Sequence, residues 1–447
     1  MRERVGMWSY TAGAAAARTG DEMSGPALLL AGLAVTGSAA TASTLLAAVT
    51  AAAAVGGPVF GVLLDRSARP GRLLAGALVG YAAGLGVILA ALGLAPLPVT
   101  LLVAVGAGLL GPALSGGWTS QLPRVVGPED LPRATACDAM TFNLASLAGP
   151  ALAGVLAGLA GASAAVLAAI VLICLALPAA WGLPAAERTA PPGSVAADLA
   201  AGFRAIVRSR PLARATAASM LSCVGQGILL ATSPLLGERA FGQAAHGTIL
   251  LSVLAASALT TNAILSRHAD SIRPDTIMWL SPLLLATAFL LAATARPIPV
   301  IAAMLLAGMA EGPQLTALFT IRHRESPAAL RSRIFTTGAS LKITSFAAGA
   351  ALTAELTTDT PTLALTTAAG FETLATLAFA AMTLASRRRR TETTSINERG
   401  VATGPGAGGR SWLRATLHSS RARAGRGPED VSRASVGEGP NPSRRAG

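Results

Sequence analysis

Charge is scarce in this sequence. Asp, Glu, Lys and Arg make up 13% of its 447 residues, about half the ~25% usual for a soluble domain, which argues against a water-soluble fold. Lysine occurs once, as Lys342. Cysteine occurs three times, at Cys137, Cys174 and Cys223, each within or at the edge of an apolar run. That odd number and spacing exclude a disulfide framework and show no metal-ligand pattern. The four histidines, His246, His268, His323 and His418, fall in or beside separate connections or the C-terminal tail, so no His-based catalytic cluster is evident.

What is abundant is apolar. Hydrophobic residues make up 52% of the chain, glycine occurs 48 times and the mean hydropathy is +0.57. One anchor needs only ~20 residues, so an excess spread over the whole length implies a polytopic membrane protein. Twelve apolar runs begin near residues 9, 41, 73, 98, 136, 162, 215, 246, 276, 297, 336 and 361. The first, residues 9 to 40, would span ~48 Å as a helix against a ~30 Å hydrocarbon core, which predicts a tilted, kinked or protruding helix. No cleavable signal pattern precedes it. Alternate connections between runs carry sixteen arginines against two. Because cytoplasmic loops retain Lys and Arg, both termini are expected in the cytoplasm of a cell whose plasma membrane the chain spans repeatedly.

The longest internal connection divides the runs six and six. This predicts a bundle over residues 1–182, a cytoplasmic linker over 183–214, a second bundle over 215–385 and a basic tail over 386–447. In the linker, Leu199, Phe203, Ile206 and Val207 recur at helical spacing, which fits either a helix on the inner leaflet or a solvated one. An internal repeat supports the division: Gly111-Pro112-Ala113-Leu114-Ser115 is similar to Gly312-Pro313-Gln314-Leu315-Thr316, and Leu147 to Leu152 is similar to Ala347 to Leu352. Parallel repeats of this kind place a substrate site between two bundles. The tail carries thirteen arginines and five acids with almost no aliphatic periodicity, so it is expected to be disordered.

Between the second and third runs the chain reads Gly61-Val62-Leu63-Leu64-Asp65-Arg66-Ser67-Ala68-Arg69-Pro70-Gly71-Arg72. This resembles the loop signature of the major facilitator superfamily, with Ala68 in place of a usual glycine and Pro70 in place of a usual basic residue. The resemblance implies a conformational latch, in which Gly61 permits close helix contact, Asp65 faces another helix N-terminus, and Arg66, Arg69 and Arg72 stay in the cytosol. Gly149-Pro150-Ala151-Leu152-Ala153-Gly154 resembles the helix-5 signature of drug and proton antiporters of that superfamily, with Gly149, Pro150 and Gly154 as its marks. Arg18-Thr19-Gly20-Asp21-Glu22 resembles an element of the exporters related to macrolide efflux and siderophore export. The implied fold is all-α and integral to the membrane, with twelve helices in two six-helix pseudo-repeat bundles. The implied function is secondary active export of a hydrophobic or amphipathic small molecule by alternating access. The fourth run has no charge, unlike many proton-coupled relatives, so coupling would use other acids or another ion.

The candidate coupling or substrate charges are Arg18, Asp21, Glu311 and Lys342. On a helix Arg18 faces Asp21 and Glu22, giving local compensation. Glu311 and Lys342 fall at similar depths, ~13 and ~9 Å from the cytosolic boundary, and are expected to pair, because an isolated intramembrane charge is costly. Asp138 is read as structural, near the cytosolic interface and within reach of Arg133 or helix-end amides. No catalytic residue, cofactor, metal or nucleic-acid partner is expected. The expected partners are a small-molecule substrate, a coupling proton or other ion and the lipid bilayer, and the chain is expected to act as a monomer. A polytopic transferase would need clustered acids or a His-Asp arrangement. An uptake facilitator for a polar nutrient would need a cavity rich in amides and tyrosine; the chain has two tyrosines.

Overall fold

The computed structural model describes residues 2–185, 195–243, 246–268, 272–356 and 361–402. It divides into two compact units, Met1–Ala385 and Ser386–Gly447. The first contains the helices α1 (Arg2–Thr36), α2 (Ala39–Arg66), α3 (Pro70–Ala91), α4 (Leu97–Gly108), α5 (Leu131–Ala160), α6 (Ala162–Leu175), α7 (Leu177–Trp181), α8 (Val195–Arg208), α9 (Arg210–Phe241), α10 (His246–Arg267), α11 (Pro274–Ala292), α12 (Pro297–Glu325) and α13 (Arg331–Leu356). The last helix is α14 (Pro361–Ala402). The rest of the tail lies outside the described residues.

Proline sets many of the starts. It occupies the first or second position of α3, α4, α5, α9, α11 and α12, where its missing N–H is not needed and its φ is already helical. Gly161 makes the sharp turn from α5 to α6 at φ +90°, a conformation that strains residues bearing a Cβ.

Ten segments are long and apolar enough to cross a membrane, α4 with its continuation to Gly117 and α6 with α7 each forming one of them. The helices α1 and α13 fall short of that measure; α1 carries Arg18, Asp21 and Glu22, and α13 carries Lys342. The outer surface stays apolar, with Leu102, Val171, Leu175, Leu290 and Leu377 exposed. This is the pattern of helices that are hydrophobic all round and solvated by lipid.

One core joins α1 to α7 around Tyr10, Tyr81 and Trp118, and another joins helices of the second half around Ile228, Phe289 and Met304. The repeat is visible in how the glycines pack. A Cβ on Gly149 of α5 would lie 2.7 Å from Glu22 Cβ on α1, and a Cβ on Gly349 of α13 would collide with the Val224 carbonyl on α9. Each half therefore seats its fifth spanning helix on its first by the same close approach.

The linker helix splits its apolar face. Ile206 is buried with Leu212 and Ile334, whereas Phe203 and Val207 are exposed, and Gly202 lies against Arg333. The helix thus docks on the start of α13. Leu199 has no described side chain.

Candidate functional site

The two bundles meet at the end that carries the arginine-rich connections. Asp65, the penultimate residue of α2, accepts hydrogen bonds from the amides of Ser332 (2.9 Å) and Arg333 (3.1 Å) at the start of α13. Arg333 Nε lies 3.3 Å from the same carboxylate, and both side chains are at most 4% exposed. The first amides of a helix lack intrahelical acceptors and carry positive partial charge, so a carboxylate placed there is held by both. Gly61 and Gly57 lie against Arg333 and Thr336 with no room for a side chain. Asp65 and Gly61 of the loop motif are thus brought together on α13. Arg69 precedes α3, and Arg72 lies over the Trp181 ring at 5.5 Å. Ser120 and Gln121 both reach Ser332, at 3.2 and 3.4 Å.

Deeper in, an aromatic seal crosses the interface. Phe142 of α5 meets Phe319 of α12 at 5.5 Å, Phe319 meets Phe335 of α13 at 5.9 Å, and His323 stacks on Phe335 at 4.5 Å. Next to it Pro112 breaks α4 and the chain continues as a π-helix, Ala113–Gly117. That turn brings Gly116 so near α13 that a Cβ there would sit 2.5 Å from the Phe335 carbonyl oxygen. Gly116→Val should therefore hold this end open: a cysteine at the sealed position Ala139 would become reactive to a water-soluble maleimide, with insertion unchanged. Unaltered labelling would show that the contact does not govern closure.

The first bundle holds its own charge network. Arg18 pairs with Asp138 of α5 at 2.9 Å, both side chains at most 2% exposed. Tyr10 donates to Asp138 at 2.9 Å and Thr119 does so at 2.9 Å. Arg18 also donates to Thr119, Thr141 and the Asp138 carbonyl, and its guanidinium lies 3.7 Å over the Phe142 ring. Two expectations are corrected here. Arg18 does not turn to Asp21 and Glu22, and Asp138 does not look to Arg133 or helix-end amides. The i+3 and i+4 positions were geometrically available, but a long guanidinium satisfies more donors by reaching across to α5, where a carboxylate and hydroxyls converge.

Asp21 instead accepts from Tyr81 of α3 at 2.8 Å, and Tyr81 also contacts Ser24 at 2.9 Å. Glu22 is exposed. Of the helix-5 marks, Gly149 packs on α1, Pro150 lies inside α5, and Gly154 has open space where a side chain would point.

In the second bundle Glu311 and Lys342 are each half-buried and within electrostatic range of one another. No salt bridge joins them among the described residues, so the expected direct pair is not formed. Equal depth settled their height; it left open the azimuth of each side chain around its helix. The sequence reading also missed a network centred on Glu372 of α14. Ser222 donates to Glu372 Oε1 at 2.9 Å, Gln314 donates to Ser222 at 3.1 Å, and Gln226 donates to Gln314 at 3.2 Å. A lone acid in the twelfth apolar run was the available signal. Arg322, near the end of α12, is only 1% exposed and fits against Gly338.

Residues 10–354 match the family model of the Major Facilitator Superfamily. The chain belongs to that superfamily. Its members are transporters, which sets aside the transferase alternative. A curated relative, the uncharacterized MFS-type transporter y4rN of Sinorhizobium fredii, is 28% identical over 314 residues, which is 68% of this chain and 74% of the relative. Among solved structures, the human organic anion transporter MFSD10 (TETRAN) superposes with TM-score 0.70 at 18% identity, covering 85% of this chain and 100% of that one. A bacterial homologue of the iron transporter ferroportin in an outward-facing state gives TM-score 0.70 at 15% identity, over 85% and 99% of the two chains. The proton:xylose symporter XylE gives 0.67 at 12%, over 84% and 95%. These likenesses show the fold: the superfamily's two-bundle architecture with twelve spanning helices, as expected from the runs. As a superfamily member the protein is a multi-pass secondary transporter of small molecules.

Proposed function

We propose that this transporter exports a hydrophobic or amphipathic small molecule by alternating access, coupled to a proton or another ion, from the cytoplasmic side of the plasma membrane. The observation that carries the reading is the contrast within the spans. They are rich in Ala, Leu, Val and Gly, yet Asp21, Glu22 and Glu311 stand at mid-helix, with Lys342 as a mid-span cation outside the Arg18 pair. Apolar walls supply binding that tolerates many shapes, while the acids supply charge that must be compensated by protons or by a cationic substrate group. Exposed Glu22 supports a water-filled gap between the bundles, since an exposed carboxylate at mid-helix has to meet water rather than lipid.

On the orientation given by the arginine asymmetry, with both termini cytoplasmic, the end sealed by Asp65 and Phe335 is the inner one. The conformation is then outward-facing, the state in which an exporter releases its cargo. In that reading Gly61, Asp65, Arg66, Arg69 and Arg72 form the inner latch, the Gly149-Pro150-Gly154 segment shapes α5, and Arg18 orients Asp138 instead of meeting substrate. The test is accumulation of a panel of fluorescent dyes and antibiotics in cells with and without the protein, repeated after collapsing the proton gradient. Lower accumulation that disappears on collapse is expected. Equal accumulation in both cells for the whole panel would overturn export.

A further inference from the structure

Glu372 is fully buried on α14. Its Oε1 accepts from Ser222 Oγ at 2.9 Å, and its Oε2 has no hydrogen-bond partner. No cation forms a salt bridge with it among the described residues. The groups that face it are Glu311 from α12 and, from α9, Ser222 and the Cys223 thiol. Lys342 of α13 acts on Glu311 and Cys223, and α11 carries no charge after Asp275 at its start. The site is built to receive this side chain: a Cβ on Gly225 of α9 would lie 3.0 Å from Glu372 Oε1.

A carboxylate in that place would be a buried charge with one oxygen unsatisfied and a second acid as its charged neighbour. Burying an unpaired ion costs far more than leaving one O–H without an acceptor. The neutral acid is the form the surroundings allow. Ser222, Gln314 and Gln226 join it to the half-buried part of α9, so its hydroxyl neighbour offers a way out that the packed face does not.

We propose that Glu372 is a proton-carrying site of the transport cycle, neutral in the conformation sealed at the Asp65 end and ionised when the bundles rearrange. In the release step the carboxyl O–H bond breaks and its electron pair stays on the carboxylate. The Ser222 hydroxyl turns from donor to acceptor: its oxygen takes the carboxyl proton as its own proton passes to water admitted near Gln226. Rebinding from the opposite side reverses the step. The inference rests on the reading of the protein as an ion-coupled transporter, and it names the group that does the coupling.

Two measurements test it. Infrared difference spectra of the purified, lipid-reconstituted protein at neutral pH should show a carboxylic-acid C=O band that is absent in Glu372→Gln and shifted in Ser222→Ala, which loses the donor to Oε1. A spectrum in which neither variant changes that band would overturn the proposal whether or not a transported dye is known. With a dye that the wild-type protein expels, Glu372→Gln should retain counterflow down a dye gradient but lose accumulation driven by a pH gradient. Loss of both would assign Glu372 to substrate binding, and retention of both would remove it from coupling; either overturns the proposal. Failure of the wild type to expel any dye would count against the export reading alone, leaving the infrared result to decide the proton site.

Discussion

Replacement of Asp65 by Ala is expected to cut transport sharply without reducing the amount of protein in the membrane. The carboxylate is 1% exposed and gathers two helix-end amides and the Arg333 guanidinium. Removing one partner of such a buried pair costs about 3–5 kcal/mol, and each ~1.4 kcal/mol is tenfold in an equilibrium. The lost contacts belong to one conformation, since Asp65 is on α2 and its partners are on α13, in opposite bundles. The cost therefore falls on the sealed state and shifts the population toward opening at the Asp65 end by roughly a hundredfold or more. Asp65→Asn, which keeps one carbonyl acceptor, should fall between Ala and wild type. A cysteine at Ser120, 2% exposed when sealed, reports the shift by its reaction with a membrane-impermeant maleimide applied from the Asp65 side. Transport and labelling equal to wild type in Asp65→Ala would show that the contact has no part in gating.

Asp138→Leu is expected to be among the most damaging single changes in the chain, and Arg18→Met to rescue its stability. With Asp138 removed, Arg18 remains 2% exposed among Thr119, Thr141 and Phe142 with no counter-charge. An uncompensated buried charge destabilises by about 3–5 kcal/mol, whereas an apolar replacement of both partners is often neutral. Thermal unfolding in detergent should show a large fall in midpoint for each single variant and a value near wild type for the double variant. Transport should not return with stability. The Arg18 guanidinium is stacked on Phe142, and Phe142 forms the first contact of the seal through Phe319 to Phe335. The pair thus sets the position of an aromatic side chain at the meeting surface of the bundles. Additive losses in the double variant would mean that the two residues act separately.

The fold was legible in composition because the solvent is lipid. Every backbone group of a spanning segment must be satisfied within the segment, so a long apolar run can only be a helix. Counting runs recovered the spanning helices, including α1 and α13, whose charges make them too polar to pass on apolarity alone. Proline at the helix starts and the repeated Gly149 and Gly349 segments were also readable, since their effects are local to the backbone or to one close approach. Asp65 was legible for a different reason: it lies at the end of α2 beside a short connection, where a motif and its spacing can be read without knowledge of packing.

The charges inside the spans were not legible in the same way. Sequence spacing offered Arg18 two acids on its own helix, and depth offered Glu311 a lysine at the same height. The tertiary structure gave Arg18 to Asp138, Asp21 to Tyr81, and left Glu311 and Lys342 near one another without contact. It also turned Glu372, an unremarked acid in the last span, into the buried end of a network drawn from α9, α12 and α14. By itself the sequence determined that this chain spans the membrane many times and which connections carry the arginines. Only the tertiary structure decided which charges meet, because a helix fixes the height of a side chain but its rotation against its neighbours is chosen by packing among all the helices at once.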